Sequence, residues 1–526
     1  MLRRVFRLAV RSQQKPTSGT ILPSKIRRSD PPYEFSSLIL SIIIGHSAAL
    51  AALILATVAP TQPLMQASWF VQAGAVGDGT SVESPTGSVE SLNRLSGEGD
   101  RIYLLPSDAA LEGGIALKVG QRLIGLDREG RKPVITNSDS TRNHGCGVVL
   151  SIGSHVSNVR IEGTVASGIY GRNVAGVRID RVDVHDANRL QLFIDATFPT
   201  LPGRLPHGGM VFVHSDSPAD VEVTLSTVTQ TSGFGIVSIT SGVARTRLSV
   251  RHTRVEGGSR IGFFDIGIAA LVKDRKATTR LDISDAEVRG RLSRSGRNVM
   301  IAASGGGRGD ARIKRIASGP TGQDGIVGAV MQSPSEITIH ISDSVIEDAG
   351  QMNVEGSLIN LPPEDSTQAN AARVSIEIER SIVRRAGAVS GFEEVASNVW
   401  LGGSQFIKDG PPAVGHYRLR MTGSRIEGAG RSGLEFGNRR ITASGHLETS
   451  AFDVLLRGNT IAGNGDADVM MYAPRARVDA RKNCWGRPEG LAENRILVSA
   501  PARRSQRDAA EPLSCNERTK GPRKSW

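Results

Sequence analysis

The stretch ITIHISDSVIEDAG, from Ile337 to Gly350, is followed by VSIEIERSIVRRAG (Val374–Gly387) and YRLRMTGSRIEGAGRSGLEFG (Tyr417–Gly437), starting 37 and then 43 residues further on. Each copy opens with apolar residues at every second position, turns on a Gly, Ser or Asp, resumes with a single Ile, and closes on Gly. Alternation with period two over four to six residues describes a strand with one buried face. The pattern extends backwards through RLSVRHTRVEGGSRIGFFDI (from Arg247) and VEVTLSTVTQTSGFGIVSIT (from Val221), and forwards through FDVLLRGNTIAGNGDADVMMYA (from Phe452) to VDARKNCWG (from Val478). No helix-period segment joins the strands, which excludes βαβ crossovers and leucine-rich horseshoes. Each repeat therefore fits one coil of three short strands, with loops inserted at the turns where the spacing lengthens.

Stacked coils turn this pattern into ladders. Val182, Val184, Ile337, Ile339, Ile341, Val374, Ile376 and Ile378 are expected inside, and Asn and Ser at the turns are expected to stack and bind backbone groups. Composition agrees: 60 glycines, 39% hydrophobic residues and only 4% aromatics suit many short strands and many turns. The fold class expected is all-β, a parallel β-helix solenoid.

A segment of a different kind precedes the repeats. Phe35–Ala59 contains no formally charged residue, and as a helix it would be about 38 Å long, enough for a bilayer core of about 30 Å. Eight Lys and Arg residues lie before it against Asp30 and Glu34, half of the net charge of +12. The expectation is a basic cytoplasmic segment (1–34), a single transmembrane helix (35–59), a tether (60–74), a cap with first coils (75–145), the β-helix proper (146–486) and a loose basic tail (487–526). The C-terminal part would then face the periplasm of a bacterial inner membrane. The alternative is secretion after signal cleavage, against which stand the length of the apolar run and Pro60 directly after Ala56-Thr-Val-Ala59. His46 sits mid-span and reads as a helix-packing residue.

At this level a family resemblance can be stated. The repeats, above all VSNVRIEGTVASGIYGRNVAGVRIDRVDVHDA (Val156–Ala187), resemble those of right-handed parallel β-helix proteins of the pectin-lyase-like superfamily. So does Ala75–Gly125, with a Gly-Asp-Gly-Thr turn and a Gly-Asp-x-Ile-Tyr strand around a short capping helix. Ala480–Gly486 (ARKNCWG) is similar to their closing coil, with Cys484 replacing the usual aromatic. The resemblance implies right-handedness and, in its enzymes, chemistry on sugars along an outward strand ladder.

Each enzyme class of that superfamily has its own residue signature. The paired carboxylates of polygalacturonases are not evident, and Arg312-Ile313-Lys314 alone carries no hydrolase signature. No acidic triplet of a pectate lyase is evident either. Asp183, His185 and Asp186 form Asp-Val-His-Asp, similar to the Asp-Pro-His-Asp motif of alginate C5-epimerases, where a base removes the C5 proton; a strand-ending turn uses the same residue types. Gly306-Gly307-Arg308-Gly309-Asp310 occurs once and reads as a glycine-rich loop. The insertions Phe193–Gly208 and Leu361–Ala372 lie at coil edges, where such folds place binding surfaces; in the first, Thr197, Phe198, Leu201 and Leu205 are expected to cover a coil. Cys484 and Cys515 are expected to form a disulfide if the C-terminal region is in an oxidising compartment; otherwise all three cysteines, with Cys146, are small buried hydrophobes. No cofactor and no metal are implied, and no basic-aromatic pattern points to nucleic acid.

The main functional expectation is a non-catalytic, membrane-anchored envelope scaffold that binds a polysaccharide or an envelope protein. The alternative is a polysaccharide lyase or C5-epimerase acting on an acidic glycan.

Overall fold

In the structure, a computed structural model, three parallel sheets run side by side from one end of the repeats to the other. It describes residues 66–198, 204–258, 265–331, 334–360, 372–387, 396–405, 414–439, 449–486, 496–498 and 507–508. Phe35–Ala59 and Cys515 lie outside these residues, as does most of Leu361–Ala372.

Among the described residues, sheet I has 15 strands, from Ser68–Val71 to Arg507–Asp508; sheet II has 12, from Leu111–Glu112 to Thr460–Ala462; sheet III has 13, from Ile115–Ala116 to Ile496–Val498. Each coil visits the sheets in the order I, II, III, and each strand pairs with its counterparts one coil away. This is the arrangement of a right-handed parallel β-helix.

The alternating pattern sets the register. Ile337, Val374, Tyr417 and Phe452 stand on one another in sheet I, and Ile339, Ile376, Leu419 and Val454 form the next inward row. All eight residues expected inside are at most 1% exposed. Burying each such side chain is worth about 1.5–3 kcal/mol. Where the row becomes aromatic, the Tyr417 and Phe452 rings stack with centroids 4.6 Å apart, and the Tyr417 hydroxyl accepts from the Leu358 N–H.

The turn from sheet I to sheet II is two residues long and places its first residue in the left-handed region: Arg315, Asp343 and Arg380 have φ of 50°, 54° and 46°. From Ser344 onward the second residue is small and polar, and it forms a chain of bonds along the axis. The Ile316 N–H donates to Ser344 Oγ, Ser344 N–H to Ser381 Oγ, Ser381 N–H to Ser424 Oγ, Ser424 N–H to Asn459 Oδ1, and Asn459 N–H to Asn483 Oδ1, at 2.9–3.2 Å. Each buried turn amide is thus satisfied by the coil that follows it.

Three expectations are corrected. The stretch expected as a tether contains Ser68–Val71, which pairs with Arg101–Leu104, while the Trp69 indole donates to Asp100 Oδ2 at 2.8 Å. Alternation in SWFV is too brief to announce a strand. The expected loose tail contributes Ile496–Val498 to sheet III and Arg507–Asp508 to sheet I. Of the glycine-rich loop only the first residues turn, because Arg308–Lys314 is a strand; a Cβ at Gly309 would lie 2.8 Å from Ile301 Cδ1, so glycine there makes room for the core. The short capping helix is α1, Val89–Leu95, with Ser88 accepting from the Ser91 N–H at its start. Cys146 is a free, buried thiol, and Cys484 is disulfide-bonded.

Sheet III differs from the other two in being buried on both faces over most of its length. Its outward residues Val211, Phe234, Val237, Ala269, Leu271, Met300 and Val327 form a second apolar cluster outside the barrel of coils. This sheet carries the polar exceptions considered next.

A candidate active site on the third sheet

Asp183 and His185 both lie on the outer face of sheet II, in the strand Asp183–His185, with Val184 buried between them. They do not share partners. Asp183 pairs with Lys132 Nζ at 2.8 Å and lines a 570 Å³ pocket with Arg128, Arg131 and Arg160. His185 Nδ1 lies 2.9 Å from Thr229 Oγ1, and Asp186 occupies the turn at φ 50° with Arg189 3.5 Å away. Half-exposed pairs of this kind contribute about 1 kcal/mol or less. Asp183→Ala and His185→Ala are expected to change the urea midpoint only slightly, which side-by-side denaturation with the parent chain checks.

A more convergent group sits where the insertion leaves the coil. Asn188, fully buried at φ 61°, anchors the insertion at its base: its Oδ1 accepts from the Leu192 N–H at 2.7 Å and its Nδ2 donates to the His207 carbonyl at 3.0 Å. Between these points the chain forms an antiparallel hairpin, Phe193–Thr197 with Arg204–Pro206. Ile194, Phe198 and Leu205 enter the outer apolar cluster, so the hairpin covers a coil as expected, although Thr197 stays exposed and Leu201 lies outside the described residues. Its other side, with Phe193, Asp195 and Arg204, walls an open cavity of 930 Å³ against the outer face of sheet III.

Three side chains meet in that cavity. Tyr170 stands on Val211 in an outward row that continues through Val237 and Ala269, so it is a polar residue in an apolar series. Its hydroxyl accepts from Arg172 Nε at 3.2 Å, and Arg172 Nη2 donates to the Asp195 carbonyl at 3.2 Å, which ties the guanidinium to both walls. The His207 ring lies 5.8 Å from the Tyr170 ring, centroid to centroid. Burial, aided by nearby His144, lowers the His207 pKa to about 4, so the imidazole is neutral near pH 7. Ser167 Oγ accepts from the Gly208 N–H at 3.4 Å and is 2.8 Å from His207 Nδ1. The hydroxyl can still give its proton to Nδ1, and in that tautomer the ring carries Nε2–H as its donor. Gln191 and Arg204 complete the polar rim, and Arg204 has no ion-pair partner among the described residues.

His214, further along sheet III, is also pushed down to about 4 by burial, and neither ring nitrogen finds a partner among the described residues. The ordinary value is 6.5, so between about 4 and 6.5 the unfolded chain takes up protons that the folded chain refuses. Stability from His207 and His214 is therefore fully present above about pH 6.5 and is lost as the pH falls towards 4. The urea midpoint is expected to drop between pH 7 and pH 5, and His214→Leu is expected to flatten part of that dependence.

A second polar group lies several coils along the same face. Asp324, fully buried, is 3.2 Å from Arg297 Nε, with Glu355 on the next coil acting on its charge. Burial first, and then the Glu355 charge, raise its pKa well above the ordinary carboxylate value. Two coils beyond Glu355, Glu435 accepts from Ser397 Oγ at 2.7 Å with Arg431 at 3.7 Å, and Arg431 Nη2 donates to the Tyr472 hydroxyl at 2.8 Å. Burial raises the Glu435 pKa too.

Neither group was evident from the sequence. Tyr170 and His207 are far apart in the chain and meet only because the insertion returns to the next coil. The available signal was Tyr170 itself, one of five tyrosines, in a position that the next five coils fill with Val211, Val237, Ala269, Met300 and Val327.

No family model and no curated protein matches the chain. Solved structures do resemble it. A double mutant of the periplasmic alginate epimerase AlgG is 10% identical over 76% of this chain and 77% of its own, with a TM-score of 0.42. The A-module of the Azotobacter vinelandii mannuronan C-5 epimerase AlgE6 is 12% identical over 81% and 98%, with a TM-score of 0.41. Pectate lyase Pel9A is 11% identical over 80% and 79%, with a TM-score of 0.30. The likeness is one of fold.

Proposed function

We propose that this chain remodels an acidic polysaccharide by removing the proton beside a uronate carboxylate, as an epimerase or a lyase. The observation that carries the reading is the Tyr170 hydroxyl, held by Arg172 and set beside a neutral His207 in an open cavity.

The C5 proton of a uronate is weakly acidic, because the electron pair left behind must spread onto a carboxylate that is already charged. Arg204, with Gln191, is suited to bind that carboxylate and offset its charge, as a planar guanidinium does well. Tyr170 enters the step as the phenolate and takes the C5 proton on its oxygen, to which Arg172 Nε donates. His207 Nε2–H donates to the enolate or to the oxygen at C4. From the enolate two outcomes balance. Return of a proton to the opposite face of C5 inverts that centre, whereas expulsion of the C4 oxygen breaks the glycosidic bond and leaves a C4=C5 double bond.

The test is incubation of the chain with polymannuronate, polygalacturonate and other uronic-acid polymers in deuterated water. Deuterium at C5 without chain cleavage identifies an epimerase, and absorbance from the new double bond identifies a lyase. No exchange, no unsaturation and unchanged polymer length across the panel would sink the proposal and leave a recognition scaffold. A second reading, glycoside hydrolysis, is favoured by two carboxyls on adjacent coils, Asp324 and Glu355, the first pushed above the ordinary carboxylate value by burial. It gives saturated reducing ends and no C5 exchange, so the same assay separates the two.

A further inference from the structure

Sheet I presents a feature that the catalytic proposal does not use. Along its outer face, the strands Glu336–Ser342, Ala372–Glu379, Gly415–Thr422, Ala451–Arg457 and Ala476–Asp479 line an open groove of about 1260 Å³. The register aligns Thr338, Ser375, Arg418, Asp453 and Arg477 in one outward row, with His340, Glu377 and Arg420 in the next.

The charges in this groove are incompletely matched. Five arginines line it (Arg373, Arg418, Arg420, Arg475, Arg477) against Glu336, Glu377 and Asp453. His340 occupies Glu377 at 2.8 Å, and Arg418 reaches Asp453 only at 4.0 Å. Arg373, Arg420, Arg475 and Arg477 have no ion-pair partner among the described residues. On neighbouring coils of the same face, by contrast, Arg247 and Arg280 both hold Asp282, at 2.7 and 3.0 Å, and Arg312 lies 3.6 Å from Asp310. The concavity thus gathers four arginines without an ion-pair partner among the described residues.

We infer that this groove is a second binding site, an anchoring subsite for a linear carboxylated polysaccharide. The arginines recur over three coil spacings, about 14 Å along the axis, so several anionic units of one chain can be met in succession. Guanidinium groups bind carboxylates through paired hydrogen bonds, and the interspersed Glu336, Glu377 and Asp453 accept from sugar hydroxyls. Nucleic acid fits poorly: those carboxylates oppose phosphates, and the groove's aromatic residues, Tyr417 and Phe452, are each only 2% exposed and offer no stacking surface. The groove lies on a different sheet from Tyr170, and its first coil is about five spacings, roughly 24 Å, further along the axis.

The experiment is affinity electrophoresis of the full chain in gels containing polygalacturonate, with dextran gels as the neutral reference. Arg373, Arg420 and Arg477 are exposed, so Arg373→Ser/Arg420→Ser/Arg477→Ser should fold normally, which circular dichroism checks. Retardation by polygalacturonate is expected to be salt-sensitive and to weaken about tenfold or more in the triple variant. Tyr170→Phe is expected to bind as the parent does, so loss of turnover and loss of anchoring are read separately. Equal retardation of parent and triple variant, equal retardation by dextran, or preferential binding of single-stranded DNA over the polymer would each overturn the inference.

Discussion

Tyr170→Phe is expected to lower the rate of C5 proton exchange or elimination by about 10²–10⁴-fold, the contribution of a well-placed general base. The substitution deletes one oxygen and leaves the ring against its neighbours in the outer apolar cluster, so the fold has little reason to change. Arg172 loses one acceptor but keeps its bond to the Asp195 carbonyl, and the hairpin stays anchored by Asn188. The effect should therefore fall on kcat, with KM for the polymer nearly constant, because the missing interaction is made with a proton in flight. Arg204→Ser offers the complementary case: it should raise KM as well as lower kcat, since it is assigned to the carboxylate in both the bound and reacting states. If Tyr170→Phe turns over at the parent rate, the base lies elsewhere, and the Asp324–Glu355 pair becomes the group to examine.

The largest loss of stability is expected from Asp265→Ala. Arg291 and Asp265 are both 0% exposed, with Nη1 and Oδ1 3.3 Å apart, and Asp265 Oδ2 also accepts from the Ser293 N–H at 3.3 Å. The guanidinium fits because residue 235 is glycine: a Cβ there would lie 2.7 Å from Arg291 Nη2. Burial pulls the Arg291 pKa below its usual value, and Asp265 is the counter-charge that opposes this. Removing it strands a cation in a low-dielectric interior, at a cost of about 3–5 kcal/mol. Replacing both, as Asp265→Leu/Arg291→Met, should recover most of that loss, since two matched apolar groups need no charge compensation. Because a solenoid's stability is a sum of neighbouring terms, amide exchange should show the damage centred on the coils around residues 265 and 291. Equal stability of Asp265→Ala and the parent would mean that water reaches Arg291.

These two cases also mark the boundary of what the chain's pattern discloses. The inward rows were readable because alternation is local: Ile337, Ile339 and Ile341 announce their face within five residues. The polar turns were readable for the same reason. Meetings across coils are not local. Asp265 and Arg291 lie 26 positions apart, Tyr170 and His207 lie 37 apart, and loops of varied length between them scramble any fixed spacing. Asp183, His185 and Asp186 attracted notice because they are adjacent in sequence, yet adjacency along a strand distributes them between an ion pair, a threonine and a turn. The terminal strands escaped notice because each is only two to four residues long and owes its form to the edge it joins.

The line of turn side chains from Ser344 to Asn483 has a direction. Every amide in it is satisfied by the coil after it, never by the one before. A chain emerging from a ribosome or a translocation pore would thus always carry one open bond at its newest coil, a gap that its successor fills. Asn483 ends the dependence by turning its Nδ2 back onto the carbonyls of Leu456 and Ala480. The line of turn side chains in this sense contains its own full stop, and truncation before residue 483 would leave a sticky end to be filled by whatever strand is nearest, including that of another copy.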